Sequence, residues 1–311
     1  MLNFVYHPDY SYPFPDNHRF AMSKFHRLHR LLSREGVLDQ VWLNEPEKAS
    51  IDDISRIHER AYVQALADGT LTQAQLKRLR LPWSPELANR SFIAANGTYL
   101  TCQLALEHGL ALHMAGGTHH SQPEGGAGFC VFNDMAYATV RLLQEQRAGR
   151  ILILDCDVHQ GDGTANILRG VPGAFTCSLH CQQNYPHPKA LSDLDVAIQA
   201  GCEDSEYLNL LATTLDTLIT RFAPDLVIYD AGADVHEQDQ LGHLKLTRAG
   251  MEARDQLVFE RCHQEGVAVA VVIGGGYAAD REALVDLHAI PFRTAVKNAD
   301  NLGLRLRKTV A

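Results

Sequence analysis

The chain has 311 residues, 46% of them hydrophobic, which is enough to bury a large core in one big α/β domain or two small ones. Its formal net charge of −9 argues against nucleic acid as a direct partner, because neutralising phosphates requires a basic face. No apolar run approaches membrane-spanning length, and no Ser/Gly-rich or charged linker divides the chain, so a single domain over residues 1–311 is expected. The first residues lack the basic-then-apolar order of a secretory signal. The seven cysteines form no C-x-x-C pair, and Cys156 and Cys177 sit inside strand-like runs, which reads as free thiols in a reducing, cytoplasmic setting. The short basic cluster at 305–308 reads as a solvated tail.

In chain order, short apolar runs at 3–7, 110–115, 151–156, 174–179, 226–229 and 267–273 are expected as strands. Residues 19–34 carry Phe20, Leu28, Leu31 and Leu32 at helical spacing, with Gly36 as terminator. A long helix is expected over 85–107 before Gly109, and another over 133–147 capped by Asn133 or Asp134. Further helices are expected over 205–221, before Pro224, and from a Thr247 cap to about residue 265. Strand and helix in alternation predict a mostly parallel sheet covered by helices on both faces, with the chemistry at the carboxyl ends of the strands.

Four of these strand ends carry polar clusters with small residues. They are Gly116-Gly117-Thr118-His119-His120, followed by the glycine-rich loop 125–129; Asp155-Cys-Asp157-Val-His159-Gln-Gly161-Asp162; Asp230-Ala-Gly232-Ala-Asp234; and Gly274-Gly275-Gly276-Tyr277. Strand alternation would start Asp155, Asp157 and His159 on one face, where acids so close repel one another unless a cation or proton intervenes. Asp157, His159 and Asp234 suit a divalent cation with coordination positions left open, the mark of a catalytic metal. Such an ion acidifies bound water and polarises a carbonyl. The tandem His119 and His120 suit general acid/base work, with Asp155 and Asp162 available as orienting carboxylates. Tyr277 after three glycines can bring a phenol to a developing oxyanion.

Together these residues resemble the histone deacetylase family, including bacterial deacetylase-like and acetylpolyamine amidohydrolases. The resemblance runs from Arg19–Lys24 through His58–Tyr62, His119-His120, Gly128-Phe129, residues 155–163, Ser178–His180, Gly232–Asp234 and Leu246-Thr247 to Gly274–Tyr277. The Gly-Gly-Thr-His-His form looks most like the class IV branch and its bacterial relatives. The resemblance implies an arginase-like three-layer α/β/α fold with about eight parallel strands. It implies zinc on Asp157, His159 and Asp234, His119 paired with Asp155, and His120 paired with Asp162. Gly128, Phe129, Gly275 and Tyr185 would face the substrate. Potassium would be held by backbone carbonyls of Asp155, Asp157, His159 and Leu179 with the Ser178 hydroxyl. The implied reaction removes an acetyl or longer acyl group from protein lysine. Two departures stand out: Gly117-Thr118 where many members have Pro-Gly, and Gln160 where many have a second His.

Other readings keep parts of this site. The same chemistry could serve an acetylated polyamine or another small amide, to which the acidic net charge is suited. An arginase-type two-metal hydrolase would need further bridging carboxylates, and a non-enzymatic binding module would have no use for a complete set of ligands, histidines and tyrosine. The oxygen-rich ligand set also accepts Fe2+ or Co2+ in place of Zn2+. The sequence leaves oligomeric state open.

Overall fold

A computed structural model describes residues 1–15 and 17–307; Lys308 of the basic cluster lies outside the described residues. The strands are β1 (Asn3–Val5), β2 (Trp42–Asn44), β3 (Leu110–His113), β4 (Ile151–Asp155), β5 (Ala174–Cys181), β6 (Leu194–Ile198), β7 (Leu226–Asp230) and β8 (Ala268–Val272). They form one sheet in the order β2-β1-β3-β8-β7-β4-β5-β6, with every pairing parallel. Helices α1 (Lys24–Arg34), α2 (Ile51–Ile54), α3 (Arg60–Asp68), α4 (Gln73–Leu79) and α5 (Pro85–His108) precede or flank the first strands. They are followed by α6 (Asp134–Gln144), α7 (Asp162–Leu168), α8 (Asp204–Phe222), α9 (Arg248–Gln264), α10 (Arg281–His288) and α11 (Ile290–Lys297).

The topology dictates the layers. A right-handed crossover that moves toward β6 leaves its helix on one face of the sheet, and one that moves toward β2 leaves it on the other. Helices α5, α6 and α7 belong to the first set, and α1, α8 and α9 to the second. The packing agrees: α5 lies against α6 and α6 against α7, while α8 and α11 lie against α9. Both faces are therefore covered, and the central strands β3, β4, β7 and β8 are buried at every residue. That is why they read as unbroken apolar runs rather than alternating ones.

The differences from the sequence reading lie where apolar periodicity is weak. Strands β2 and β6 sit at the two sheet edges, are short and largely half-exposed, and carry polar residues such as Asn44 and Asp195. Helix α1 begins at Lys24 rather than at residue 19. Phe20 instead packs its ring 5.9 Å from that of Phe129 and 6.2 Å from that of Phe25, so tertiary contacts hold 19–23 out of the helix. Asn133 caps α6 by accepting from Ala136 N–H, which frees Asp134 for another task. All seven cysteines are buried and unpaired. No helix among the described residues is long and apolar enough to cross a membrane.

One buried charge links the core to the polar strand ends. Arg254 of α9 is fully buried, bonds Asp255 at 3.0 Å and donates to Gly232 O at 2.8 Å, while the Tyr229 hydroxyl donates to Asp255 at 2.6 Å. Arg254 thus pins the loop after β7. Replacing it strands the Asp255 carboxylate without a counter-charge, a loss of about 3–5 kcal/mol. Arg254→Met is expected to lower the urea midpoint accordingly, and an unchanged midpoint contradicts this role.

Candidate active site

The four polar clusters lie at the carboxyl ends of β3, β8, β7 and β4, which are neighbours at the middle of the sheet. Strand β4 stops at Asp155, so Asp155, Asp157 and His159 do not continue as a one-face ladder. The chain bends, and the three side chains part. Asp155 turns to His119, while Asp157 and His159 meet Asp234 from the loop after β7.

His159 Nδ1 lies 3.0 Å from Asp157 Oδ1 and 3.1 Å from Asp234 Oδ2, and all three residues are buried. Their candidate ligand atoms fall within 4.8 Å of one another. The remaining carboxylate oxygens are aimed by backbone amides: Gly275 N–H donates to Asp157 Oδ2 at 2.6 Å, and Val158 N–H to Asp234 Oδ1 at 2.9 Å. Gly275 must be glycine, since a Cβ there would collide with Asp234 and come 2.6 Å from Asp157 Oδ2. Burial opposes charge on His159, but its hydrogen bonds to Asp157 and Asp234 and their charges push its pKa up to about 10. Burial and the Asp157 charge push Asp234 up to about 7. Two acids and an imidazole thus crowd one dry spot and hold a proton between them. That donor set fits a divalent cation.

Two imidazole–carboxylate pairs face this triad. His119 Nδ1 lies 2.8 Å from Asp155 Oδ2, and His120 Nδ1 lies 2.7 Å from Asp162 Oδ1. Their Nε2 atoms are 3.1 Å apart. Burial disfavours charge on both rings. For His119 the charges of Asp155 and Asp157 outweigh burial and raise its pKa well above the usual imidazole range. For His120, burial and the charge of His119 prevail and lower it to about 4. One ring is therefore an acid and its neighbour a base.

Tyr277 completes the circle, its ring centroid 6.2 Å from that of His159 and 5.8 Å from that of Phe129. Burial and the nearby Asp157 and Asp234 charges raise its pKa well above 10, which keeps the phenol a donor. Phe129 holds a left-handed backbone (φ 69°) after Gly128, and the 128–129 turn hangs by its amides from Arg78 O and Leu79 O. Tyr185 is exposed at the rim, edge-on to His120 with centroids 4.9 Å apart. An outer cavity of about 990 Å³ and an inner one of about 40 Å³ share His120, Gly128, Phe129 and Tyr277 as walls. Ser178 and Leu179 lie on buried β5 beside the end of β4, Ser178 pairing in register with Asp155. The Ser178 hydroxyl is 3.0 Å from His180 Nδ1.

Several further groups support the site, and two of them, Gln122 and Asp239, carry no distinctive local pattern in the sequence. Asp134 takes the amides of Gly117 and Thr118 at 3.1 and 2.7 Å, fixing the turn that delivers the histidines. Gln122 Nε2 donates to Asp162 at 2.7 Å, and Asp239 accepts from Tyr277 N–H at 2.6 Å. Lys24 lies buried at the inner cavity, donating to Gly274 O at 3.1 Å, and burial lowers its pKa to about 8. Asp230 approaches His119 and Asp155 closely enough to make a second acidic cluster. Burial and the Asp155 and Asp157 charges raise the Asp230 pKa strongly, and Gly274 N–H donates to one of its oxygens at 2.9 Å.

The sequence matches the Histone deacetylase domain over residues 18–288, a span that includes every one of the side chains above. The chain belongs to the histone deacetylase family. Within the family's reach, an uncharacterized protein of Picosynechococcus sp. is 48% identical over 94% of this chain and 97% of its own length. Histone deacetylase 2 of Arabidopsis thaliana is 29% identical over 84% of this chain and 70% of its own. The acetoin utilization protein AcuC of Bacillus subtilis is 28% identical over 88% and 76%.

If this histone deacetylase-family triad is a metal centre, the zinc-replete chain carries a single divalent ion by elemental analysis. Asp157→Asn and His159→Ala are expected to carry only traces. Chelation should lower the melting temperature of the parent chain but not of these variants. Equal metal content in parent and variants would place the ion elsewhere.

Proposed function

We propose that the chain is a zinc-dependent deacetylase that removes an acetyl group from the side-chain amine of lysine in proteins. The observation that carries this reading is the convergence of two imidazole–carboxylate pairs and a phenol on the Asp157–His159–Asp234 triad, where an inner cavity lined by Asp157 and an outer one lined by His159 share their walls. A chain-like substrate suits this arrangement, since the outer and inner cavities share His120, Gly128, Phe129 and Tyr277 as walls. The small inner cavity suits a two-carbon acyl group better than a long one.

When bound to Asp157, His159 and Asp234, the zinc ion supplies Lewis acidity toward an amide carbonyl and toward water. His120, held by Asp162 and neutral, takes the proton from the attacking water. Tyr277 donates a hydrogen bond to the oxyanion as the carbonyl carbon becomes tetrahedral. His119, charged and held by Asp155, keeps the basic ring in line, and the proton on the imidazole pair passes to the departing lysine amine. Gly275 N–H and Val158 N–H keep the ligand carboxylates from swinging into the substrate's place. Fe2+ or Co2+ satisfies the same oxygen-rich donor set. For the potassium ion, support comes from the adjacency of the β4 end to Ser178 and Leu179, where a cation would offset buried negative charge near Asp155 and Asp157.

Tyr277→Phe and His120→Ala are each expected to cut turnover of an acetyl-lysine peptide by roughly a hundredfold or more. Both are expected to retain the metal content of the parent chain. Near-parental rates in both metal-loaded variants would overturn the assignment.

A further inference from the structure

The mouth of the outer cavity carries a charge opposite in sign to that of the whole chain. Asp and Glu outnumber Lys and Arg by 37 to 28, so a patch drawn at random would be acidic. Yet the described residues lining the mouth include Arg19, Lys77, Arg78 and Arg80 and no carboxylate. Arg78 is paired with Glu124 at 2.7 Å. Arg19, Lys77 and Arg80 are exposed and make no ion pair among the described residues.

The rim is held in place rather than left to chance. Lys77 and Arg78 occupy the last turn of α4, where a cation is favoured by the helix dipole alone. That explanation does not reach Arg80 or Arg19. Arg80 stands beyond the helix in a left-handed conformation (φ 59°), a place that glycine usually fills. Arg19 comes from a segment remote in sequence. His18 Nε2–H donates to Arg80 O at 3.1 Å while His18 Nδ1 accepts from Phe20 N–H, which brings the two segments together. Arg281 donates to His18 O at 2.7 Å and anchors the pair from α10. The same helix end carries the Gly128–Phe129 wall through Arg78 O and Leu79 O. The cations are therefore fixed to the entrance itself.

We infer that the acyl-lysine taken by this site is flanked by carboxylates, so that the substrate is an acidic segment and not a lysine-rich tail or a polyamine. The inference rests on the deacetylase reading and narrows its substrate class. It also reverses the expectation drawn from net charge, because a ligand entering a cleft responds to the field of its lining more than to the total. Arg19, Lys77 and Arg80, gathered at the mouth with the 18–19 and 80 segments joined through His18, meet carboxylates next to the lysine, while a polyamine's ammonium groups meet like charge.

The test uses three acetyl-lysine peptides alike except for Glu, Gln or Lys on both flanks, together with N-acetylspermidine, on the zinc-loaded full chain. Expected is kcat/KM in the order Glu, Gln, Lys, with the outer members roughly tenfold or more apart at low salt and closer at high salt. N-acetylspermidine should fall with the Lys-flanked peptide. Arg19→Glu/Lys77→Glu should invert the order, and Arg80→Gly, which suits the positive φ, should narrow it, with melting temperatures as the control for folding. Fluorescence anisotropy of the same labelled peptides measures their affinities independently of turnover. An acidic preference in affinity without any hydrolysis sustains the cationic rim and removes the deacetylase reading. Hydrolysis with no charge preference, or with preference for the Lys-flanked peptide or N-acetylspermidine, overturns the inference and leaves the deacetylase reading standing.

Discussion

Four carboxylates, Asp155, Asp157, Asp230 and Asp234, are packed out of reach of water at the ends of two adjacent strands and the loops that follow them. Their mutual repulsion is the constraint to which the rest of the site answers. Asp230 answers it with a raised pKa and a hydrogen bond from Gly274 N–H, Asp155 by its pairing with His119, and Asp157 with Asp234 by converging on one point with His159. Only the last arrangement is left with a charge that a side chain does not balance well. A divalent ion would balance it. The chemistry proposed for the site follows from that imbalance, since an ion held by three protein ligands keeps positions free for other oxygens.

The sheet order explains why the four clusters meet at all. Strands β7 and β8 are inserted between β3 and β4, so that segments remote in sequence end side by side on the central strands. Strands β3, β7 and β8 then turn through glycines among their polar residues, whereas β4 runs straight into Asp155 and meets its first glycine at Gly161. At Gly117 (φ 74°) a side chain would be driven against the Gly274 backbone, so the β3 and β8 ends can touch only as glycines. Behind them, Asp134 and Arg254 clamp two of the four loops from opposite layers of the molecule. The site is thus rigid because it is tied to the core.

Much of this was legible in the sequence because each cluster is continuous: ligands, histidines and tyrosine sit within a few residues of an unbroken apolar run. The central strands and the long helices announce themselves in the same way. Edge strands β2 and β6 did not, being too short and too polar to stand out from loops. Strand alternation also misplaced Asp155 relative to Asp157, because β4 ends at Asp155, the first residue of the pattern. The cationic mouth had no local signal of any kind. Arg19 and Arg80 are joined by His18 through a backbone carbonyl, and the summed charge pointed the other way. Asp134 looked like one of two equivalent helix caps, and only tertiary structure gave the cap to Asn133 and the loop to Asp134.

The central claim concerns one ion at one place. A crystal of the chain grown with zinc, with diffraction recorded at the zinc absorption edge, tests it most directly. The account predicts one strong anomalous peak bonded to Asp157, His159 and Asp234. A peak on His119, Asp155 and Asp230 instead, two peaks of equal height, or no peak at the triad would contradict it.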